Sequence, residues 1–404
     1  MSTPHGPSPL PSRPLRRLIV VQLVPEMQAG GVERGTVETA AGLVAQGHRS
    51  IVISAGGGLV RELIDHGTEH YDWPIGRKSL ATLRLVRRLA KFARLNRVDV
   101  LHARSRVPAW VALLAQRSVP RAIRPKLVTT VHGLYSVNRY SSVMARGDAV
   151  AVISETAERY VRKHYGKWHP AALPRVYRGV DPAVFHPAAT PSPEWTAQFE
   201  AEHPQLANKR LVAIVGRLTR CKGHRDFLSV IERLRQTRPD VAGLVIGGEH
   251  PRKARYAAEL RDAVASRGLS EHVHFLGHRS DVRELMLRSD AVVSCTADPP
   301  EAFGRTVLEA LSLGTPVVGY DGSGPGEILA HLCPEGRVPA GDIEAMATRL
   351  DAFLAQPPAI AANTPFTLDE MVRREIAIYE QVVQTATLHC PRRVHASEPV
   401  RRAA

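Results

Sequence analysis

Short apolar runs alternate with longer stretches of helical period along most of the chain. "RRLIVVQLV" (residues 16–24) is a short apolar run of strand length, followed by the turn-forming "PEMQAGG" and by "VERGTVETAAGLVAQG", a helical stretch that ends on Gly47. "HRSIVISAGGG" repeats the unit, and "VDVLHA", "KLVTTVHG" and "DAVAVIS" predict further strands. Each crossover between such strands must pack a helix back onto the sheet, so the pattern predicts a parallel sheet covered on both faces. The Pro-rich "HPAATPSPEW" (186–195) interrupts it, and the chain stays irregular to about residue 208. The alternation then restarts with strands at "RLVAIVGRL", "AGLVIGG", "HVHFLGH", "DAVVSC" and "TPVVGY", separated by helical stretches. The prediction is an α/β protein of two doubly wound domains. It comprises a disordered lead (1–15), a first domain (16–187), a linker (188–208), a second domain (209–365), a final helix (366–387) and a flexible tail (388–404).

Length and composition narrow the function. A chain of 404 residues suits two cores, and two domains usually form a cleft. No run of about 18 apolar residues appears and the Pro/Ser-rich lead lacks the apolar centre of a signal peptide, which predicts a cytoplasmic protein. Cys221, Cys295, Cys333 and Cys390 have no CxxC spacing, so reduced thiols are expected, with neither a disulfide framework nor a zinc site. The formal net charge is +15, and nearly all of it lies in residues 1–200, where 28 Lys and Arg face 14 Asp and Glu. Such a field suits an anionic partner near the first domain. Aromatic residues make up 5% of the chain and no stacking or recognition motif is visible, which argues against nucleic acid.

In paired open sheets, ligands bind in the crevices beyond the carboxyl ends of the strands, so polar residues just after strands are the candidates. In "VAIVGRLTRCKGH", Gly216 ends a strand and Arg217 and Lys222 follow, two cations beside a helix start, suited to a diphosphate. In "PPEAFGRTVLEA", a helix beginning near Gly304 leaves the amides of Phe303, Gly304, Arg305 and Thr306 as donors for phosphate oxygens. Glu309 lies about one and a half turns in, where its carboxylate can accept from a ribose diol, and Glu301 precedes the helix within reach of other hydroxyls.

The Glu301/Glu309 pair inside "EAFGRTVLEALSLGTPVVGYDGSG", together with "GRLTRCKG", "GGVERG" and "RGVDPAVF", resembles the retaining glycosyltransferases of family 4, also called glycosyl transferases group 1. "HARSR" and "YSSVMARGD" extend the likeness to bacterial lipopolysaccharide-core enzymes. The resemblance implies a GT-B fold, two Rossmann-like domains facing across a cleft, with a nucleotide-sugar donor held mainly by the second. It implies that Arg217 and Lys222 neutralise the donor diphosphate, Glu309 holds the ribose and Glu301 contacts the transferred sugar. Gly30 and Gly31 match the glycine loop that lets the backbone approach the donor or acceptor, and His132 matches the family histidine near the reacting centre. "IGGEH" departs from the commoner Gly-Asp-Gly, Glu327 is shifted by an extra glycine, and Arg178 stands where many members carry Asn. The nucleotide sugar is a co-substrate, and neither cofactor nor metal is implied.

The acceptor side falls on the basic first domain. Arg104 and Arg106 in "HARSRVPAW" follow a strand, and the expectation is that they hold phosphates or carboxylates of an anionic glycolipid or phosphorylated oligosaccharide. The stretch 77–97 has eight basic residues and no acidic one, with Arg84, Arg87, Arg88, Lys91 and Arg94 largely on one helical face, a pattern that suits an anionic membrane surface as well as a solvated face. Another GT-B enzyme with a soluble acceptor, and a non-catalytic basic membrane- or anion-binding protein, are the alternatives.

Overall fold

The computed structural model describes residues 16–388 apart from 29, 80, 170–171 and 250–253. The predicted lead, the predicted tail beyond its first residue, and Cys390 lie outside the described residues. The first sheet contains β1 (Ile19–Leu23), β2 (Arg49–Ser54), β3 (Glu69–Asp72), β4 (Val100–Ala103), β5 (Lys126–Val131) and β6 (Ala149–Val152) in the order β3-β2-β1-β4-β5-β6. The second contains β7 (Arg210–Val215), β8 (Val241–Ile246), β9 (Val273–Gly277), β10 (Ala291–Ser294), β11 (Val317–Tyr320) and β12 (Arg337–Val338) in the order β12-β11-β10-β7-β8-β9. Every pairing is parallel.

The crossover helices of the first domain are α1 (Gly31–Ala45), α2 (Val60–Asp65), α3 (Thr82–Leu95), α4 (Arg106–Arg117) and α5 (Glu155–Tyr165). Then come α6 (Pro193–Glu202), α7 (His224–Leu234), α8 (Ala254–Ser266), α9 (Val282–Arg288), α10 (Arg305–Ser312), α11 (Gly324–Leu332), α12 (Ile343–Ala355) and the long α13 (Leu368–Leu388). The central strands β4 and β8 are buried at every position; β8 therefore reads as an unbroken apolar run, while β4 carries one polar residue, His102, hydrogen-bonded to Thr130 and Tyr379. Among the described residues no helix is long and apolar enough to cross a membrane.

The interval expected to be an irregular linker contains α6. Ser192 caps it, its hydroxyl accepting from the Trp195 amide, and Pro193 occupies the first turn. Trp195 stacks on Phe199 at 5.0 Å and donates to Asp281 at 2.7 Å, so α6 packs on the second domain. The chain crosses between domains twice, and the two passages run side by side: Val180 bridges Thr367, and Gly179 is obligatory because a Cβ there would collide with the Thr367 backbone. After the second passage α13 returns to the first domain, where Met371, Ile376 and Tyr379 pack against Leu18, Val100 and Val128.

The strand order reverses beside β1 in one sheet and beside β7 in the other. At such switch points adjacent loops leave in opposite directions and open a crevice. The loops concerned follow β1, β4, β7 and β10; Gly30, Lys222 and Glu301 lie in the first, third and fourth, and Arg106 opens the helix that follows the second.

Candidate functional site

A cleft of about 1370 Å³ lies between the domains. Gly30, Gly31 and Glu38 line it from the first domain, and Glu301, Thr306 and Glu309 from the second. Gly31 faces open space, consistent with a loop that admits a ligand to its backbone.

On the second-domain side the local chain geometry brings the predicted residues together. Gly216 has φ +152°, a conformation that favours glycine, and the place a Cβ would take lies 3.3 Å from the Lys222 stem. Gly223, left-handed at φ +69°, caps α7 and turns the chain immediately after Lys222. The Lys222 ammonium thereby reaches both carboxylate oxygens of Glu301 at 2.9 Å. Arg217 is exposed, and its charge acts from across the cleft on Glu33 of α1, whose carboxyl is nevertheless raised above its ordinary value by burial.

Helix α10 starts at Arg305, capped by Gly304 at φ +97°. Phe303 is a correction to the expected row of donor amides. Its side chain is buried beside Tyr177 and Phe366, and its backbone nitrogen abuts Gly324 so closely that a Cβ there would collide with it. The amides of Arg305 and Thr306 remain as first-turn donors of α10, in residues that both line the cleft.

The Arg305 side chain has a role its amide did not suggest. It donates to Glu38 across the cleft at 2.7 Å and to Glu309 in its own helix at 2.9 Å. Burial alone would lower its pKa, but the two carboxylates together raise it. Burial likewise raises the Glu309 carboxyl, more than Arg305 lowers it.

On the first-domain side His132 follows β5, and its Nε2 is buried without a hydrogen-bond partner. Burial first, then the nearby Arg178 and Arg104 charges, hold its pKa well below the usual imidazole value, so the ring is neutral at physiological pH. Arg106, half-buried in the first turn of α4, donates to Ser141 at 3.3 Å and lies 5.2 Å from the Tyr135 ring.

Arg104 is the second correction. It does not stand at the cleft mouth: it is 1% exposed and donates to Gln22, Thr39 and Glu375 at 2.8, 3.1 and 2.8 Å. A guanidinium and a carboxylate so enclosed pair with each other and dock α13. Glu327 is also drawn into the architecture. From α11 it accepts from the Glu155 amide at 2.8 Å, from the Thr156 hydroxyl at 2.5 Å and from the Thr156 amide, capping α5 of the other domain.

Family comparison bears directly on this arrangement. The model for Glycosyltransferase Family 4 matches residues 29–184, and that for Glycosyl transferases group 1 matches 197–364. The chain belongs to the group 1 glycosyltransferases. Lipopolysaccharide core biosynthesis mannosyltransferase LpsB of Rhizobium meliloti is 27% identical over 187 residues, 44% of this chain and 53% of LpsB, so the match spans about half the length of that relative. A glycosyltransferase from Rickettsia africae superposes with a TM-score of 0.78 at 25% identity, covering 91% of this chain and 99% of that one. Anabaena HepE in complex with UDP-glucose gives 0.69 at 22% identity over 92% and 98%, a likeness of fold. The two parallel six-stranded sheets of this glycosyltransferase are thus a GT-B fold. Within it, Glu38 and Glu375 are residues that motif reading did not reach, while Arg178 and Glu327 were seen only as departures from the family pattern and were given no role. Their positions depend on which helix faces which domain, and no local spacing signals that.

Proposed function

We propose that the protein is a retaining, metal-independent glycosyltransferase. It moves a sugar from a nucleotide-sugar donor to a phosphorylated, lipid-linked saccharide such as a lipopolysaccharide core, acting from the cytoplasm at an anionic membrane surface. The observation that carries this reading is the convergence of Lys222, Glu301, Arg305 and Glu309 at the carboxyl end of the second sheet, opposite Gly30, Gly31 and Glu38. A donor whose sugar, diphosphate and ribose lie in line matches that order of groups. The UDP-glucose bound to the structurally similar HepE supports the donor class, and the lipopolysaccharide-core role in LpsB's name supports the acceptor class.

In this mechanism Arg217 and Lys222, with the first amides of α10, stabilise the diphosphate as charge builds on it. Glu309 accepts from the ribose hydroxyls and Glu301 from the sugar, while neutral His132 supplies one N–H and one ring acceptor near the reacting centre. The acceptor oxygen forms its bond to the anomeric carbon on the face the leaving group departs from. The bond from that carbon to the diphosphate oxygen breaks, and the acceptor proton passes to the departing phosphate.

Thermal-shift titration with UDP, GDP and ADP identifies the base, since a bound ligand stabilises by mass action. Incubation of the matching nucleotide sugar with purified truncated core is then expected to add one sugar mass to the core. Transfer to neutral acceptors only would overturn the acceptor class, and no protection by any nucleotide would overturn the donor class.

A further inference from the structure

Arg178 is 5% exposed, and none of its three guanidinium nitrogens has a hydrogen-bond partner. The charged groups that act on it are Glu375, Arg104, Glu38 and Arg305. Both acids are already engaged by another arginine, Glu375 by Arg104 and Glu38 by Arg305, each at 2.8 Å or less. The nearest Glu38 oxygen stands 3.9 Å from Arg178 Nη2, beyond hydrogen-bonding distance. A buried cation without hydrogen bonds is costly, so its retention calls for an explanation.

Three features around Arg178 suit a ligand. Among charged groups it exerts the strongest effect on His132, which follows β5 and whose buried Nε2 is likewise unpartnered. The guanidinium fits against α1 because residue 35 is glycine: a Cβ there would collide with Nη2. Glu38, one turn farther along α1, lines the cleft, and its nearer carboxylate oxygen is 3.9 Å from Arg178 Nη2.

We infer that Arg178 and His132 form a buried oxyanion subsite. A phosphate or carboxylate carried by the ligand in the cleft reaches past Glu38 and accepts hydrogen bonds from the Arg178 guanidinium and from His132 Nε2. This rests on the cleft being the substrate site. The same chemistry has two sources, the diphosphate of the donor or an acidic group of the acceptor. Arg178 then makes the enzyme selective for an anionic ligand.

The test is calorimetric titration at pH 7.5 of wild type, R178M, R178K and G35A with inorganic pyrophosphate, inorganic phosphate, glucuronate and glucose. Wild type is expected to bind at least one anion tenfold or more tighter than R178M and G35A, with R178K between, and glucose to discriminate none of them. G35A keeps the charge but must displace the guanidinium, while its extra methyl favours the helix. Tight binding of pyrophosphate alone assigns the donor, and preference for phosphate or glucuronate assigns the acceptor. R178M keeps side-chain volume and removes the unbonded charge, so its thermal midpoint without ligand is expected to be no lower than that of wild type. Equal anion affinity in wild type, R178M and G35A, no anion binding by wild type, or a lowered midpoint in R178M would each overturn the subsite. Failure of UDP, GDP and ADP to bind wild type would defeat the glycosyltransferase reading while leaving the inorganic anion result standing.

Discussion

Lys222 does two things at once: its ammonium pairs with Glu301, and it stands where a diphosphate would develop charge. The pair is about a quarter exposed on each side, so its own contribution to stability is small. Lys222→Ala is therefore expected to leave the thermal midpoint within a degree or two while lowering kcat by about 10²–10³-fold, as removal of one transition-state donor does. Donor turnover measured beside a melting curve checks this, and a fall in stability without a fall in rate would return Lys222 to a structural role. Lys222 and Glu301 were legible because their loops follow strands, and residues after strands converge in this kind of sheet. Arg104 follows a strand too, yet it turns inward under α13. Sequence position gives the end of a strand but not which way a side chain leaves it, and a carboxylate 271 residues later decided that.

At the scale of elements, α13 and α11 are each anchored to the first domain through one carboxylate. Glu375 and Arg104 are both enclosed, and several charges hold the Glu375 carboxyl below its ordinary value against the effect of burial, Arg104 and Arg178 foremost. Removing one partner leaves an uncompensated buried charge, so Arg104→Met is expected to cost about 3–5 kcal/mol, and the double change Arg104→Met with Glu375→Met to recover most of it. Urea unfolding of the three proteins decides between this and a ligand-binding Arg104, whose loss would spare stability. Glu327 caps α5 from the other domain, and Glu327→Ala is expected to cost about 1–2 kcal/mol, by analogy with loss of a cap. Hydrogen exchange localises the effect: the Glu155 and Thr156 amides should lose protection first. Ten of the twelve strands among the described residues announced themselves by apolar runs. The exceptions are β3, whose "EHYD" is polar and only partly buried, and β12, two residues long; both owe their pairing to the neighbouring strand. Helix α6 was hidden by its proline-rich surroundings, although Ser192-Pro193 is itself a start signal.

For the whole molecule, protonation and net charge set two measurable behaviours. Burial holds His102 and His132 well below the ordinary imidazole value and lowers His224 to about 4. The unfolded chain takes up protons on these rings near pH 6.5 while the folded one does not, so the unfolded state binds more protons and stability falls as pH drops below that value. Each ring contributes up to about 1.4 kcal/mol of loss between pH 7.5 and 5.5. Melting curves at pH 7.5 and 6.0 are expected to show the decline, and His224→Leu to make it shallower; a flat profile would mean the rings protonate within the fold. The positive field has its densest face on α3, where Arg84, Arg87, Arg88, Lys91 and Arg94 are all exposed while Leu85 and Leu89 are buried. Leu83 and Leu95, 58% and 73% exposed, flank the cations with apolar groups able to enter a headgroup layer. At about 1 kcal/mol per cation near an anionic bilayer, reversing three charges with R84E, R87E and K91E should weaken sedimentation with phosphatidylserine vesicles by more than 10²-fold. Binding of the parent protein should fall steeply between 0.05 and 0.5 M salt, roughly as the screening length shrinks. Equal sedimentation of parent and variant would make α3 an ordinary solvated face and would leave the membrane side of the function without a surface to act through.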